Sequence, residues 1–388
     1  MKDKIEKIVG AGNVSDKEAD MFVYKNDSSY LEGHPVLVVW PASTEEIAKI
    51  AKLANVRNIP LVVRGGGTST AGCTLAEDAI MLDISRMNKI VQLNLTERSI
   101  TVEPAVTVAQ VNRLLAHYEL CIPTVPHTVS GVATIGGLVS CNSPSSLRFG
   151  QIGNWVMSLE VVDGTGKVFT PSKISIFVGS EGVCGIITKV KMKVTKPITA
   201  ISGTWKQCVS QEELSLLSPL WKDSDVITIE YFDAYCSQLL GLADKPHLWI
   251  EYVFLDKGDI KDQQELAAVR ERIAKLYSLL KQHKFTVHTD PYVPHEGISP
   301  FLHFCRRNSI PVYSHIGQGV MHACVRKEHP EMAGKVYKLA QKLKGYPSGE
   351  FGIGRAWKEY MPPDKKNELK EHKKFYDPSG ILNPGCLL

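Results

Sequence analysis

The chain has 388 residues, 44% hydrophobic and 22% charged, enough for two domains with sizeable cores. Its 45 Lys and Arg against 41 Asp and Glu leave a net charge of +4, too small over this length to mark a nucleic-acid binder. No apolar run approaches the roughly 20 residues of a membrane helix, and the charged start MKDKIEKIVG lacks a signal-peptide core.

In chain order, HPVLVVWP at 34–41 predicts a short strand bounded by prolines. STEEIAKIAKLANVRN follows with a Ser/Thr cap, a Glu three residues on, and apolar residues at helical spacing, and so predicts a helix. IPLVVRGGG is a strand running into glycines. AIMLDIS, IVQLNLT and SITVEPA predict further strands, and TVAQVNRLLAHYE a capped helix. WVMSLEVVDGTGKVFT predicts a hairpin turning at Asp-Gly-Thr-Gly, and GIITKVKMKVTKP a long alternating strand ended by Pro197. Beyond about residue 198 strands alternate with helices expected around 211–222 and 262–283, a separate α+β layout. The boundaries expected are 1–197, 198–345 and a terminal segment 346–388 returning to the first domain. The basic run DKKNELKEHKK at 364–374 mixes signs and predicts a solvated helix face.

The nine cysteines lie at 73, 121, 141, 184, 208, 236, 305, 324 and 386, with no C-x-x-C pair. That spacing argues against a cysteine-ligated zinc or an iron–sulfur cluster in this chain, and for free thiols in a reducing cytoplasm.

RGGGTSTAG at 64–72 is the most informative local stretch. Three glycines after a strand let the backbone approach an anion, with the Thr68 and Ser69 hydroxyls alongside. It is neither a Walker loop nor a G-x-G-x-x-G fingerprint. With TIGGLVSCN at 134–142 and GSEGVCGIITKVKMKV at 179–194, it resembles the FAD-binding domain of the vanillyl-alcohol oxidase / p-cresol methylhydroxylase superfamily. The resemblance implies an α+β chain: a two-subdomain FAD-binding domain with a shortened α+β cap built on an antiparallel sheet. It implies that Arg64, Gly65, Gly66, Gly67, Thr68 and Ser69 bind the FAD pyrophosphate. Thr134, Gly136, Gly137 and Asn142 would line the flavin, with Gly185, Ile186 and Ile187 against it. Covalent members carry a His in the glycine loop where this chain has Thr68 and Ser69, so noncovalent FAD is expected.

YSHIGQGVMH places His315 and His322 around the glycines Gly317 and Gly319, and SGEFGIG follows with Glu350. Two readings fit: a divalent-metal site of two imidazoles and a carboxylate, or a hydrogen-bonded structural cluster. With DPSGILNPG at 377–385, these stretches resemble the D-lactate / glycolate / D-2-hydroxyglutarate dehydrogenase branch, which reads His-x-Gly-Asp-Gly-Asn-x-His and then Gly-Glu-His-Gly-Ile-Gly. The resemblance implies that His315, His322 and Glu350 hold Zn, Mn or Fe, which coordinates a small 2-hydroxy acid. It also implies that electrons pass to a separate iron–sulfur or electron-transferring flavoprotein subunit, so that the protein is cytoplasmic or reaches a membrane only through that partner. Three positions depart from the pattern: Gln318, Val320 and, at the family's base, Phe351. No catalytic base is assigned. His127 and His303 are alternatives without a motif, and Arg306 and Arg307 are nearby cations. A flavin-bearing relay or structural subunit with a decayed substrate site is the competing expectation.

Overall fold

The computed structural model describes residues 1–123, 131–208, 220–347 and 350–388. Helices and sheets mix throughout, in three sheets. In the first, Leu37–Val39, Ile80–Asp83 and Leu61–Arg64 pair in parallel, with Val14–Ser15 antiparallel at one edge. The helix Thr44–Arg57 makes the crossover between the parallel strands Leu37–Val39 and Leu61–Arg64, which flank Ile80–Asp83 in the sheet. Ser43 caps it by accepting the Glu46 N–H, and Asn58 ends it in the left-handed region.

The second sheet is antiparallel, in the order Ile90–Asn94, Ser99–Val102, Ile186–Lys193, Val156–Val162, Val168–Phe169. The predicted hairpin is present, and Asp163 Oδ1 accepts from Thr165 and Lys167 across its turn. Helices Val108–Ala116 and Ile135–Cys141 bury Val111, Leu115, Ile135 and Val139 in one core with Ile100, Val102 and Val190. Thr107 and Gln110 form a full capping box on the first of these helices.

The third sheet has eight strands, all paired antiparallel, drawn from residues 202–347. Its centre runs His247–Tyr252, Val226–Phe232, Val312–His315, Val320–Arg326. The helix expected over 262–283 is two helices, Gln263–Ala274 and Leu276–Gln282, meeting at Lys275. Of the helix expected at 211–222, only the single turn Leu220–Lys222 lies within the described residues. A helix with no sequence-based expectation, His295–Arg307, starts after Pro294 and buries Ile298, Phe301, Leu302 and Cys305. The basic run forms the helix Pro363–Tyr376, which has no buried residue.

The terminal residues return to the first sheet. Leu382 bridges Leu61, and the Asn383 amide donates to the carbonyls of Cys73 and Glu181. This return brings the turn at 350–354 against the glycine loop.

Candidate active site

The glycine loop leaves the sheet at the C-terminal end of Leu61–Arg64, where open parallel sheets place ligands. A cavity of about 120 Å³ lies beside it. Its wall includes the loop 65–69, Thr134, Gly136, Gly137 and the segment 185–187. Two close approaches explain the glycines: a Cβ on Gly66 would lie 2.3 Å from the Val132 carbonyl, and one on Gly136 would lie 2.6 Å from Pro104 Cβ. Thr134 caps the helix Ile135–Cys141, its hydroxyl accepting the Gly137 N–H. Two expected contacts stand apart from the cavity. Arg64 donates to the Asn26 carbonyl and lies over the Tyr24 ring, and the Asn142 side chain bonds Gln151 and the Gly153 N–H.

His315 and His322 converge because their strands pair across a turn. Tyr313 stands opposite His322, and His315, two residues beyond Tyr313, shares its face. Gly319 turns the chain between them at φ 72°. The Tyr313 ring stacks on His322 with 4.6 Å between centroids. Glu350 enters from the terminal segment after the edge strand Tyr346–Pro347, which pairs with Pro291–Tyr292. Its Oε1 lies 3.2 Å from His315 Nε2 and its Oε2 lies 3.1 Å from His322 Nε2.

Both Glu350 and His322 are buried. Burial disfavours the Glu350 carboxylate, but His315 and His322 outweigh it and hold the group well below the usual carboxylate range. For His315 burial opposes the charge, and Glu230 and Glu350 push it up all the same. His322 Nε2 pairs with Glu350, while its Nδ1 has no hydrogen-bond partner among the described residues. One nitrogen from each imidazole and one carboxylate oxygen lie within 4.8 Å of one another. Two imidazole nitrogens and a carboxylate oxygen gathered this closely fit a divalent ion of the Zn, Mn or Fe kind.

Two family models match the chain: an FAD binding domain over residues 35–172 and the C-terminal domain of FAD linked oxidases over residues 252–387. The chain is an FAD-linked oxidoreductase. It is 26% identical to the glycolate oxidase subunit GlcD of Bacillus subtilis, over 99% of this chain and 96% of that protein. It is 25% identical to the mitochondrial D-lactate dehydrogenase [cytochrome] of Arabidopsis thaliana, over 91% of this chain and 73% of that protein. The 4-ethylphenol oxidase of Gulosibacter chungangensis shares the fold, with a TM-score of 0.80 at 15% identity over 99% of this chain and 95% of that one.

In this FAD-linked oxidoreductase a second, larger cavity of about 400 Å³ adjoins the first, and Thr68, Glu350 and Phe351 line both. Phe351 packs its ring 5.4 Å from His322 and 6.4 Å from Tyr277, centroid to centroid. Its N–H donates to buried Asp290, whose carboxyl burial pushes up to about 6. Gln318 turns away and donates to the Ser146 carbonyl, and Val320 is buried in its strand. His303, Arg306 and Arg307 are exposed on the helix His295–Arg307, and none lines either cavity. His127 lies outside the described residues.

Sequence reading missed two site residues. Glu230 on Val226–Phe232 lies 2.6 Å from His315 Nδ1 and lines the larger cavity. Arg270 lines it too, held by two hydrogen bonds to the buried Glu251, from Nε at 2.8 Å and Nη2 at 2.6 Å. A glutamate in an alternating strand is the only local signal for Glu230. Its role comes from strand pairing, which a single sequence does not state.

Proposed function

We propose that this chain is a dehydrogenase of a 2-hydroxy acid, with FAD held noncovalently in the glycine-lined cavity and a divalent metal on His315, His322 and Glu350. The observation that carries the reading is that His315, His322 and Glu350 line the larger cavity while Glu350 also lines the glycine-lined one. A substrate in the larger cavity would thus meet the group and face the glycine-lined cavity at once. When bound, FAD supplies the hydride acceptor, and the metal supplies positive charge for the carboxylate and hydroxyl oxygens of the acid.

The chain's own residues do the rest. Glu230 accepts the Nδ1 proton of His315 and so directs Nε2 at the Glu350 side. Phe351 keeps water off the apolar wall it forms with Tyr277 and His322, and it cannot take a proton. Glu230 lines the larger cavity and can accept the substrate hydroxyl proton on Oε1, where the Thr228 hydroxyl already donates. Arg270 lines the same cavity and would offer guanidinium N–H groups to an acid there, although Glu251 offsets its charge.

Electrons leaving the flavin would pass to a separate redox partner. One relative is named as an oxidase subunit and the name of another includes cytochrome, which supports this. No described helix is long and apolar enough to cross a membrane.

The test is anaerobic addition of glycolate, D-lactate, L-lactate and D-2-hydroxyglutarate to metal-replete protein while the flavin absorbance is followed. Bleaching by one of them supports the reading. A flavin that none of them reduces, in protein whose metal is verified, favours instead a relay or structural subunit with a decayed site.

A further inference from the structure

Three cysteines far apart in sequence meet at one carboxylate, and Cys73, Cys141 and Glu181 form part of the wall of the glycine-lined cavity. Cys73 follows the glycine loop, Cys141 ends the helix Ile135–Cys141, and Cys386 lies in the terminal segment. Buried Glu181 stands between them. Its Oε2 lies 3.0 Å from Cys73 Sγ and 3.2 Å from Cys386 Sγ. The ligand atoms of Cys73, Cys141 and Glu181 all lie within 4.8 Å of one another.

The Glu181 carboxylate has strong donors without the thiols. Backbone N–H groups of Ile353 and Gly354 already donate to Glu181, at 2.6 and 2.8 Å. Thiols are weak donors, and a serine would serve a buried carboxylate better. Three soft sulfurs and one oxygen suit a thiophilic cation. In a tetrahedral zinc site, with Zn–S about 2.3 Å and Zn–O about 2.0 Å, neighbouring donor atoms sit roughly 3.5–4 Å apart. Small shifts from the observed distances reach that geometry.

We propose that Cys73, Cys141, Cys386 and Glu181 form a binding site for a thiophilic divalent cation such as Zn²⁺ in the wall of the glycine-lined cavity, separate from the His315–His322–Glu350 group. Binding releases the protons of the coordinating thiols to solvent and leaves the metal's oxidation state unchanged. The ion ties the glycine loop, the helix end and the terminal segment together, and Glu181 links them to the turn at 353–354. The absence of a C-x-x-C pair does not exclude such a site, because these ligands come together only in the fold.

The test measures metal per chain in the purified holoprotein and in Cys73→Ser, Cys386→Ser and Glu350→Gln. Circular dichroism serves as the folding control. Each cysteine variant should lose one equivalent of metal that Glu350→Gln keeps. Cobalt-loaded wild type should show thiolate-to-cobalt charge-transfer absorption in a difference spectrum against zinc-loaded protein. Glu350→Gln should retain that absorption. Cobalt-loaded wild type without it overturns the site, and this measurement decides alone if the serine variants do not fold. Equal metal content in wild type and folded Cys73→Ser also overturns it, as does a Cys73–Cys141 disulfide in denatured, unreduced protein.

Discussion

Glu230 Oε2 lies 2.6 Å from His315 Nδ1, on the neighbouring strand of the central sheet. Continuing the Tyr231–Ser314 pairing by one residue sets the two side chains opposite each other on one face. A carboxylate behind a ligating imidazole fixes its tautomer and raises its basicity, and losing such a partner typically costs 10–100-fold in metal affinity or activity. Glu230→Gln should therefore weaken metal retention by about 10-fold or more in a chelator competition, with the fold intact by circular dichroism. Unchanged retention would mean that Glu230 does not support a metal ligand.

Phe351 borders both cavities, 5.4 Å from the His322 ring. An imidazole there would border the larger cavity, where the proposed substrate would sit, and general bases contribute about 10²–10⁴-fold. Phe351→His should speed flavin reduction by a 2-hydroxy acid at least about tenfold in stopped-flow mixing, with a rate that rises as the new imidazole loses its proton. A slower reaction would show instead that the Phe351 ring shapes the pocket for the present substrate.

The glycine-lined cavity was largely legible because its parts are local. Gly65, Gly66 and Gly67 are neighbours in the chain and in space, and Thr134 caps its own helix. His315 and His322 were legible as a pair because one turn separates them. Glu230 is 85 residues from His315, and Cys73 is 108 from Glu181, so only the fold joins them. Arg64 and Asn142 belong to recognisable segments, but their side chains point to Asn26 and to Gln151, a direction that motif order does not encode.

Gly66 tests the cofactor cavity directly. A Cβ there would lie 2.3 Å from the Val132 carbonyl, a contact with backbone that side-chain motion cannot relieve. Gly66→Ala should reduce the flavin content of the purified protein several-fold while leaving the far-ultraviolet spectrum unchanged. Full flavin occupancy in this variant would place the cofactor elsewhere.

His288 predicts how stability depends on pH. Its ring is buried, its Nδ1 lies 3.3 Å from Cys324 Sγ, and Nε2 has no hydrogen-bond partner among the described residues. Burial first, then Lys281 and His322, push it down to about 3. The unfolded chain binds this proton below about pH 6.5, whereas the folded chain binds it only near pH 3. Stability from this group is therefore fully present above pH 6.5 and falls as the pH drops toward 3. At pH 5 the loss is on the order of 2 kcal/mol, from about 1.4 kcal/mol per pH unit. His288→Asn removes the titration, so the difference in unfolding free energy between pH 7 and pH 5 should shrink by about that amount in urea melts. An equal difference in the variant and the wild type would show that His288 takes up its proton in the folded protein as readily as in the unfolded chain.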